Sequence, residues 1–460
     1  MSISPSISST SSSLGSSLGS SLTAIRAAFL DFVDDPFYGV ESESVRYLPD
    51  GLLILEDGKI KDFGDYERLC DRYAHVPLTS YRDRLIMPGF IDIHIHFPQT
   101  EMIGAYGEQL LEWLDKYTFP TEAKFQDKAY AQKIAVLFFD ELLKNGTTTA
   151  LVLATVHPES VDAFFEEANR RHLRMIAGKV MMDRHAPDYL KDTAETSYAD
   201  SKALIERWHK TDRLLYAVTP RFAITSTPEQ LAVAGTLLQE YPDLYLHTHL
   251  SENLKEVAFT AELFPECSDY LHVYEQYGLV GKRSIFAHGI QLSDSEFQRL
   301  SQAGATIAFC PTSNLFLGSG LFNIDKAKST ETPIQVGLAT DVGAGTSFSM
   351  LQTANEAYKV AQLRGQQLSA FKALFLATLG AAKALSLEDK IGSFNLGNEA
   401  DFVVLNPRAT PLMACRNPTA IAQSLAELTE MVFGMVILGD DRTVSATYVA
   451  GELAYGEAGH

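Results

Sequence analysis

The sequence is poor in cysteine and contains no long apolar run. It has four cysteines in 460 residues, Cys70, Cys267, Cys310 and Cys415, and no two of them form a CxxC pair. Neither a disulfide framework nor a cysteine-based zinc site is indicated, and a reducing cytoplasm is the expected compartment. Because no run of about 18 apolar residues occurs, no membrane-spanning helix is predicted.

Positive charge is also scarce. The chain has 38 Lys and Arg against 58 Asp and Glu, a formal net charge of −20 at pH 7. This excess of negative charge repels phosphate backbones and anionic membrane surfaces, so nucleic acid and membranes are disfavoured as partners. A small, uncharged substrate is favoured. The hydrophobic fraction of 46% is ordinary for a globular protein and sufficient for a large core.

The N-terminus is rich in serine and glycine. Residues 1–22 read MSISPSISSTSSSLGSSLGSSL. They have neither a basic start nor a continuous apolar core of signal-peptide length. We therefore expect residues 1–22 to form a disordered tail.

Short β patterns lie near both ends of the chain. GLLILEDGKIKDFGDY (51–66) places an Asp-Gly pair between two alternating segments, which is the strongest short-range hairpin signal. LGNEADFVVLNP (396–407) and TVSATYVAGELAYG (443–456) contain similar short runs bounded by Gly and Pro. The pattern predicts one small β-sandwich-like domain built from residues 23–86 and 396–460.

The central part, residues 87–395, alternates between apolar strand-like runs and segments of helical period, as in repeated βα units around a parallel sheet. Eight such units predict an α/β fold, a (β/α)8 TIM-like barrel. Active sites of such barrels lie where the strands end at the C-terminal face, so polar residues at those ends are candidates. The predicted strands are residues 90–96, 148–156, 175–182, 214–222, 244–252, 284–290, 306–314 and 334–343.

Two histidines end the first predicted strand. In DIHIHFPQT (92–100), His94 and His96 are spaced i, i+2 and face the same side of a strand. By itself such a pair is better explained by two core histidines that bond to neighbours, because short motifs give many false matches. The pair indicates a metal site only if residues at the ends of other strands supply further ligands.

Three later strand ends supply further ligand types. His249 ends the fifth predicted strand, His288 the sixth and Asp341 the eighth. Imidazole nitrogens with one carboxylate oxygen suit Zn²⁺, with Fe²⁺ as the alternative, and an open position in the metal's coordination would make the site catalytic. Glu252 and Asp341 are the candidates for moving protons, Asp341 beside the metal and Glu252 towards the substrate and its leaving group.

Two other residues compete for a role at the metal. His247 lies two residues before His249. We prefer His249 as the metal ligand because His249 is later in the strand and Glu252 follows it by three residues. His247 is then expected deeper in the barrel, supporting the site from behind or packing in the core. Lys179 ends the third predicted strand, where a modified lysine bridges two metals in some barrel hydrolases. A structural ion pair is favoured for it, and one metal ion is predicted.

Nine segments, in order along the chain, carry a family resemblance over residues 24–455. The segments are PGFIDIHIHFPQ, GEQLLEWLDKYTFPTE, NGTTTA, GKVMMD, TPRF, HLSEN, FCPTSN, TDVGAGTS and GNEADFVVL. With them the chain resembles the metal-dependent amidohydrolase superfamily, and within it the guanine-deaminating branch. The other class of zinc deaminases, which has an HxE…PCxxC signature, has no counterpart here because there is no CxxC.

The resemblance implies a function and a partner. It implies hydrolytic deamination of guanine to xanthine and ammonia, a step of purine catabolism, by a homodimer that binds one zinc ion per subunit. Glu252 would be the proton shuttle. The implied zinc ligands are His94, His96, His249, His288 and Asp341.

The resemblance also implies a purine pocket. Gln99 and Arg221 would hydrogen-bond the ring and Phe222 would stack on it. By themselves, Arg221 and Phe222 could be a salt-bridge partner and a core aromatic, but their place at the end of the fourth strand favours the pocket. The segment from residue 98 to residue 122, which carries Trp113 and is called the cover segment below, is expected to close over the bound base.

Two alternative functions stay open at this point. One is deamination of another heterocycle, such as cytosine, an adenosine-type ring or a triazine; the other is a catalytically inactive assembly protein. The pocket residues favour guanine because an Arg guanidinium can donate to O6 and N7, where adenine offers an amino donor instead. The complete ligand set argues against an inactive protein.

Overall fold

A computed structural model describes residues 22–107 and 109–459. The predicted tail lies outside these residues except for Leu22, which begins the first strand. The strands in the described part are β1 Leu22–Phe32, β2 Val45–Glu56, β3 Lys59–Asp65, β4 Leu78–Pro88, β5 Phe90–His96, β6 Thr147–Leu153, β7 Arg174–Gly178, β8 Val180–Met181, β9 Leu215–Pro220, β10 Tyr245–Leu250, β11 Ser284–His288, β12 Thr306–Phe309, β13 Gln335–Leu338, β14 Phe402–Leu405, β15 Val444–Val449 and β16 Glu452–Gly456.

The two ends of the chain share one seven-stranded sheet, in the order β16-β15-β14-β4-β1-β2-β3. The pair β1/β4 is parallel and the other neighbours are antiparallel. The predicted hairpin is present, because Asp57 (φ 50°) and Gly58 (φ 75°) form a two-residue turn between β2 and β3. The domain boundaries after residues 86 and 395 stay predictions.

Eight parallel strands form the barrel, and all of them overlap the eight predicted runs. Their order is β5-β6-β7-β9-β10-β11-β12-β13, with the short β8 pairing β9 beside β7. The ring closes where the amide of Asp341 donates to the carbonyl of His94 (3.0 Å) and that of His96 to the carbonyl of Val342 (2.9 Å). The predicted α/β barrel is therefore confirmed, and its closure joins two of the candidate ligand segments.

Several strands are shorter than predicted. The third run is interrupted at Lys179 between β7 and β8. The seventh run ends at Phe309, because Pro311 occupies the first turn of a helix, where its missing N–H costs nothing. The eighth ends at Leu338, before Asp341 adopts a left-handed backbone.

Helices follow most barrel strands, and polar side chains fix where they begin. Asp127 caps α5 by accepting from Ala129 N (2.9 Å), and Thr227 caps α8 by accepting from Gln230 N (3.2 Å). The helices in the described ranges are α1 Glu41–Ser44, α2 Tyr66–Leu69, α3 Leu110–Trp113, α4 Phe119–Glu122, α5 Lys128–Lys144, α6 Pro158–Arg170, α7 Ala194–Trp208, α8 Pro228–Glu240, α9 Leu254–Leu263, α10 Tyr270–Gln276, α11 Asp294–Ala303, α12 Pro311–Phe316, α13 Ile324–Ala327, α14 Met350–Leu363, α15 Ala370–Leu376, α16 Leu379–Ala384, α17 Pro411–Arg416 and α18 Leu425–Leu438.

The interior of the barrel is apolar at one end and polar at the other. Ile91, Ile93 and Tyr245 pack with residues of α16 in one buried cluster, and the Tyr245 hydroxyl donates to the carbonyl of Leu385 (2.7 Å). The histidines of β5 lie further along the same strand, towards its C-terminal end. Apolar side chains thus fill one end of the barrel, so a functional site is expected at the other end, where the C-terminal ends of the strands lie.

Two predictions about the chain as a whole can be checked here. All four cysteines are free, as their scattered spacing predicts. Within residues 22–107 and 109–459, no helix has both the length and the apolar character needed to cross a membrane.

Candidate active site

The five residues predicted as metal ligands meet at the C-terminal end of the barrel. Oδ1 of Asp341 lies 3.2 Å from Nε2 of His94 and 3.3 Å from Nε2 of His96. The latter atom is also 3.3 Å from Nε2 of His249, and Nε2 of His288 is 3.8 Å from Oδ2 of Asp341. Donor atoms that share one ion at about 2.0–2.2 Å lie roughly 3 to 4 Å from one another, so these separations suit one bound ion.

Hydrogen bonds behind the site fix the tautomers of two histidines. Nδ1 of His249 lies 2.7 Å from the carbonyl oxygen of Arg221, and Nδ1 of His288 lies 2.9 Å from Oδ1 of Asn314. Since both oxygens only accept, both Nδ1 atoms carry the proton. The Nε2 lone pairs of His249 and His288 therefore point into the site, which is the form that binds a metal.

His247 lies behind His94, as its earlier place in the strand predicts. Its Nε2 is 2.7 Å from Nδ1 of His94. Nε2 of His94 is buried and has no hydrogen-bond partner among the described residues, despite its proximity to Asp341. An unsatisfied nitrogen facing a carboxylate and other imidazole lone pairs is costly unless a cation lies between them.

The charges in the site also suit a divalent cation. Burial lowers the pKa of His94, that of His249, and that of His96 to about 4, so these imidazoles are neutral near pH 7. Neutral imidazoles beside an ionised carboxylate form the donor set typical of zinc.

Two of the proposed ligands have a strained backbone. His288 has φ 75° and Asp341 has φ 52°, both in the left-handed region that non-glycine residues seldom occupy. Each such conformation costs on the order of 1–3 kcal/mol and persists where surrounding structure enforces it, often at functional sites. His288 is the last residue of β11 and Asp341 lies three residues beyond the end of β13, so both strained positions lie at the C-terminal end of the barrel.

Glu252 lies beside the proposed ligands and is fully buried. Its Oε1 accepts a hydrogen bond from the Ser319 hydroxyl (2.9 Å), and its Oε2 lies 3.4 Å from Nε2 of His288. Burial, followed by the charge of Asp341, raises the pKa of Glu252 to about 8. A carboxyl group that gains and loses a proton near neutral pH is suited to general acid–base catalysis.

A cavity that is partly open to solvent, with about 390 Å³ of empty space, joins these groups to the predicted purine pocket. Gln99, Arg221 and Phe222 all line it, so the structure brings the predicted base contacts to the metal cluster. The cover segment lines this cavity with Gln99 and with residues from α3 and the turn after it. Movement of the cover segment stays a prediction. The full lining is His96, Gln99, Leu110, Trp113, Leu114, Arg221, Phe222, His249, Glu252, His288, Leu317, Asp341 and Ala344.

Lys179 has the structural role that the sequence favours. Its side chain is buried, and its ammonium group forms an ion pair with Asp192. The cavity lining does not include it. The charge of Lys179 is thus paired with Asp192 outside the site. This agrees with one metal ion rather than with two metal ions bridged by a lysine.

Sequence reasoning missed four residues that contact the site. Asp92, Glu122 and Ser319 bond to site residues, and Cys310 places its sulfur among ligand atoms that all lie within 4.8 Å of one another. Asp92 could have been found, because it is two residues before His94 and faces the same side of β5. No spacing or periodicity in the sequence points to the other three.

Asp92 ties two candidate ligand segments together, which leads to a stability prediction. Its Oδ1 accepts from His94 N (3.2 Å) and Thr340 N (3.1 Å), and its Oδ2 accepts from the Thr340 hydroxyl. Replacing Asp92 by Ala leaves two buried amides unpaired and is expected to lower the free energy of unfolding by about 2–5 kcal/mol. Asp92→Asn keeps an acceptor, so its free energy of unfolding should fall by less than half as much. Urea unfolding of both variants measures the two decreases, and equal decreases would contradict the prediction.

Comparisons with known proteins agree with this geometry. Residues 85–454 match the model of the amidohydrolase family. The chain is 55% identical over 436 residues to guanine deaminase of Escherichia coli (strain K12), covering 94% of this chain and 97% of that protein. A solved structure of E. coli guanine deaminase superposes with a TM-score of 0.90 at 53% identity, covering 95% of this chain and 99% of the other. A crystal structure of guanine deaminase from C. acetobutylicum, with guanine bound in the active site, gives 0.85 at 30% identity, covering 94% and 100%.

Proposed function

The chain belongs to the amidohydrolase family, and from that premise we propose that it hydrolyses guanine to xanthine and ammonia with one zinc ion per subunit. One observation carries the proposal. Four of the five candidate ligands, the Glu252 carboxyl group and the side chains of Gln99, Arg221 and Phe222 line one cavity, and the fifth candidate, His94, lies 3.2 Å from Asp341 at its edge. Fe²⁺ is the alternative ion, since its ligand preferences overlap those of zinc.

Recognition of the base is proposed to rest on Arg221, Gln99 and Phe222. The guanidinium group of Arg221 can donate to both O6 and N7 of guanine, and the amide of Gln99 can both donate and accept. The ring of Phe222 offers an apolar face, with its centroid 6.4 Å from that of His249. Adenine places an amino donor against the donors of Arg221, which leaves buried polar groups unpaired.

His94, His96, His249, His288 and Asp341 would hold the ion. When bound, it supplies Lewis acidity that lowers the pKa of water from 15.7 to about 7. Hydrogen bonds from behind hold His249 and His288 in the tautomers that expose Nε2. The chain's contribution at this centre is thus to keep neutral, correctly oriented imidazoles next to one carboxylate.

Two carboxyl groups move the protons. Asp341 orients the attacking water at C2 of guanine, and Glu252 takes up one proton of that water and gives it to the ring nitrogen next to C2. The hydroxyl group now on C2 then gives its proton through Glu252 to the departing amino group, so that C2=O forms as the C2–N bond breaks and ammonia leaves. One guanine and one water give one xanthine and one ammonia. The Ser319 hydroxyl keeps Glu252 in one orientation during both transfers.

Cytoplasmic location and a homodimeric state are part of the same proposal. The location is supported by four free cysteines, which suit a reducing compartment. The dimer is supported by the family resemblance. Sedimentation velocity of the purified protein measures it, and a single species of 50.7 kDa would contradict it.

Ammonia release from a panel of bases tests the proposed substrate. Guanine, adenine, cytosine and guanosine are supplied to the purified protein under identical conditions. We expect kcat/KM for guanine to exceed that for adenine and cytosine by at least about 10³, because mismatched hydrogen-bond groups are rejected strongly in a buried site. Equal rates for two or more bases would contradict the assignment of guanine.

A further inference from the structure

A carboxylate lies behind the proposed base-recognition residues. Glu122 is 0% exposed and ends helix α4 of the cover segment. Its Oε1 and Oε2 accept hydrogen bonds from Nη1 of Arg221 at 2.9 and 2.8 Å, and Oε1 also accepts from Nε2 of Gln99 at 3.2 Å. One side chain therefore binds two of the three residues proposed to contact the base.

The contacts with Glu122 fix the side chain of Gln99. Oε1 of Gln99 accepts from the amide of Gly343 (3.2 Å), while its Nε2 donates to Glu122. Because a carboxylate only accepts, Glu122 determines which end of the amide is the nitrogen. One N–H of Gln99 and one lone pair of its oxygen remain available to a ligand.

The same carboxylate orients Arg221. Only Nη1 of the guanidinium group bonds to Glu122, so the Nη2 and Nε donors have no hydrogen-bond partner among the described residues. The ring of Phe119, also in α4, lies 5.6 Å from the guanidinium carbon. Arg221 is thus held from one side and presents its remaining donors from the other.

We propose that Glu122 is a positioning residue that sets specificity for the 6-oxo group of guanine by holding Arg221 and Gln99. The inference rests on the proposed function. Glu122 does not line the cavity, so it acts through these two residues rather than on the base. Since the cover segment also supplies Leu110, Trp113 and Leu114 to the cavity wall, one segment both covers the base and orients the groups that recognise it.

Glu122→Asp is the appropriate test variant. It retains the charge that Arg221 needs, because an unpaired buried arginine could prevent folding, but it is one methylene too short to hold both partners. Glu399→Asp is the matched control. Glu399 is half-buried and also binds two arginines, accepting from Nε of Arg174 (2.7 Å) and Nη2 of Arg213 (2.6 Å), and the cavity lining does not include it.

The readout compares two ligands that differ at C6. These are guanine, through its KM, and 2-aminopurine, a purine without the 6-oxo group, through its Ki as a competitor of guanine. Glu122→Asp should raise KM for guanine by about tenfold or more, as expected for the loss of one charge-assisted hydrogen bond, and should raise Ki for 2-aminopurine by a clearly smaller factor, because that base keeps N7 as an acceptor for Arg221 but lacks O6. Glu399→Asp should change neither by more than about threefold.

Other outcomes overturn the inference. Equal increases for both ligands would make Glu122 a merely structural residue, and unchanged values for both would leave it without a role in recognition. In an Arg221→Lys background, Glu122→Asp should raise KM for guanine by less than about a further threefold, because the effects of residues that act as a unit are not additive. If KM rose by the product of the two single-variant factors, the inference would also be overturned. If wild-type protein released no ammonia from guanine, the proposed function would fail instead.

Discussion

Replacing Glu252 by Gln is expected to lower kcat on guanine by about 10²–10⁴-fold, the usual contribution of a positioned general acid–base group. The amide has nearly the same shape, and its oxygen can still accept from the Ser319 hydroxyl, but it cannot take up or deliver a proton. The metal content should stay at that of the wild type, since Glu252 is not among the five proposed ligands. The decrease in kcat would therefore come from the missing proton transfer and not from a failure of the site to bind its metal.

The measurement is steady-state ammonia release together with elemental analysis of each protein. Glu399→Asp, which keeps the charge that its two arginines need and lies outside the cavity, serves as the control and should retain kcat. If Glu252→Gln kept kcat within about threefold of wild type, Glu252 would have no part in the mechanism. A parallel loss of metal would move it into the ligand set.

Removing the metal should abolish turnover altogether. Lowering the pKa of water from 15.7 to about 7 favours the nucleophile by on the order of 12 kcal/mol, more than the other groups of the site can supply. Chelated protein is therefore expected to release ammonia at the background rate, and one equivalent of Zn²⁺ per chain should restore it. The midpoint of thermal unfolding should also fall, because an ion that binds only the folded protein stabilises it.

Elemental analysis before and after chelation makes this test quantitative. Activity should follow the metal content linearly up to one ion per chain, as expected for a site whose only lysine candidate for a bridge, Lys179, is paired with Asp192. Full activity in protein stripped of metal would contradict the account. A linear rise up to two ions per chain would contradict the single-ion site.

The fold could be predicted from the sequence because its signals are local. Each barrel strand is a short apolar run, and polar residues such as His249 and His288 mark where those runs end. The prediction was least accurate where tertiary structure decides. In the third run, Lys179 separates β7 from β8 and its side chain pairs with Asp192, a residue thirteen positions later in a loop.

The residues that support the site could not be predicted in the same way. Glu122 is 99 positions from Arg221, and Ser319 is 67 positions from Glu252, so neither pair leaves a periodic trace in the sequence. Each contact exists only because the barrel brings distant segments to one end. A carboxylate in the cover segment and a serine between two glycines are ordinary surface residues until the fold buries them.

Addition of water at C2 of guanine is the step on which the other proposed roles at this site depend. The most direct measurement incubates the zinc-loaded protein with guanine in H₂¹⁸O and follows both products by mass spectrometry and ammonia assay. The account predicts one ammonia per xanthine, with the label in the C2 oxygen of xanthine and none in the C6 oxygen. Guanine left unchanged, or xanthine formed without the label at C2, would contradict it.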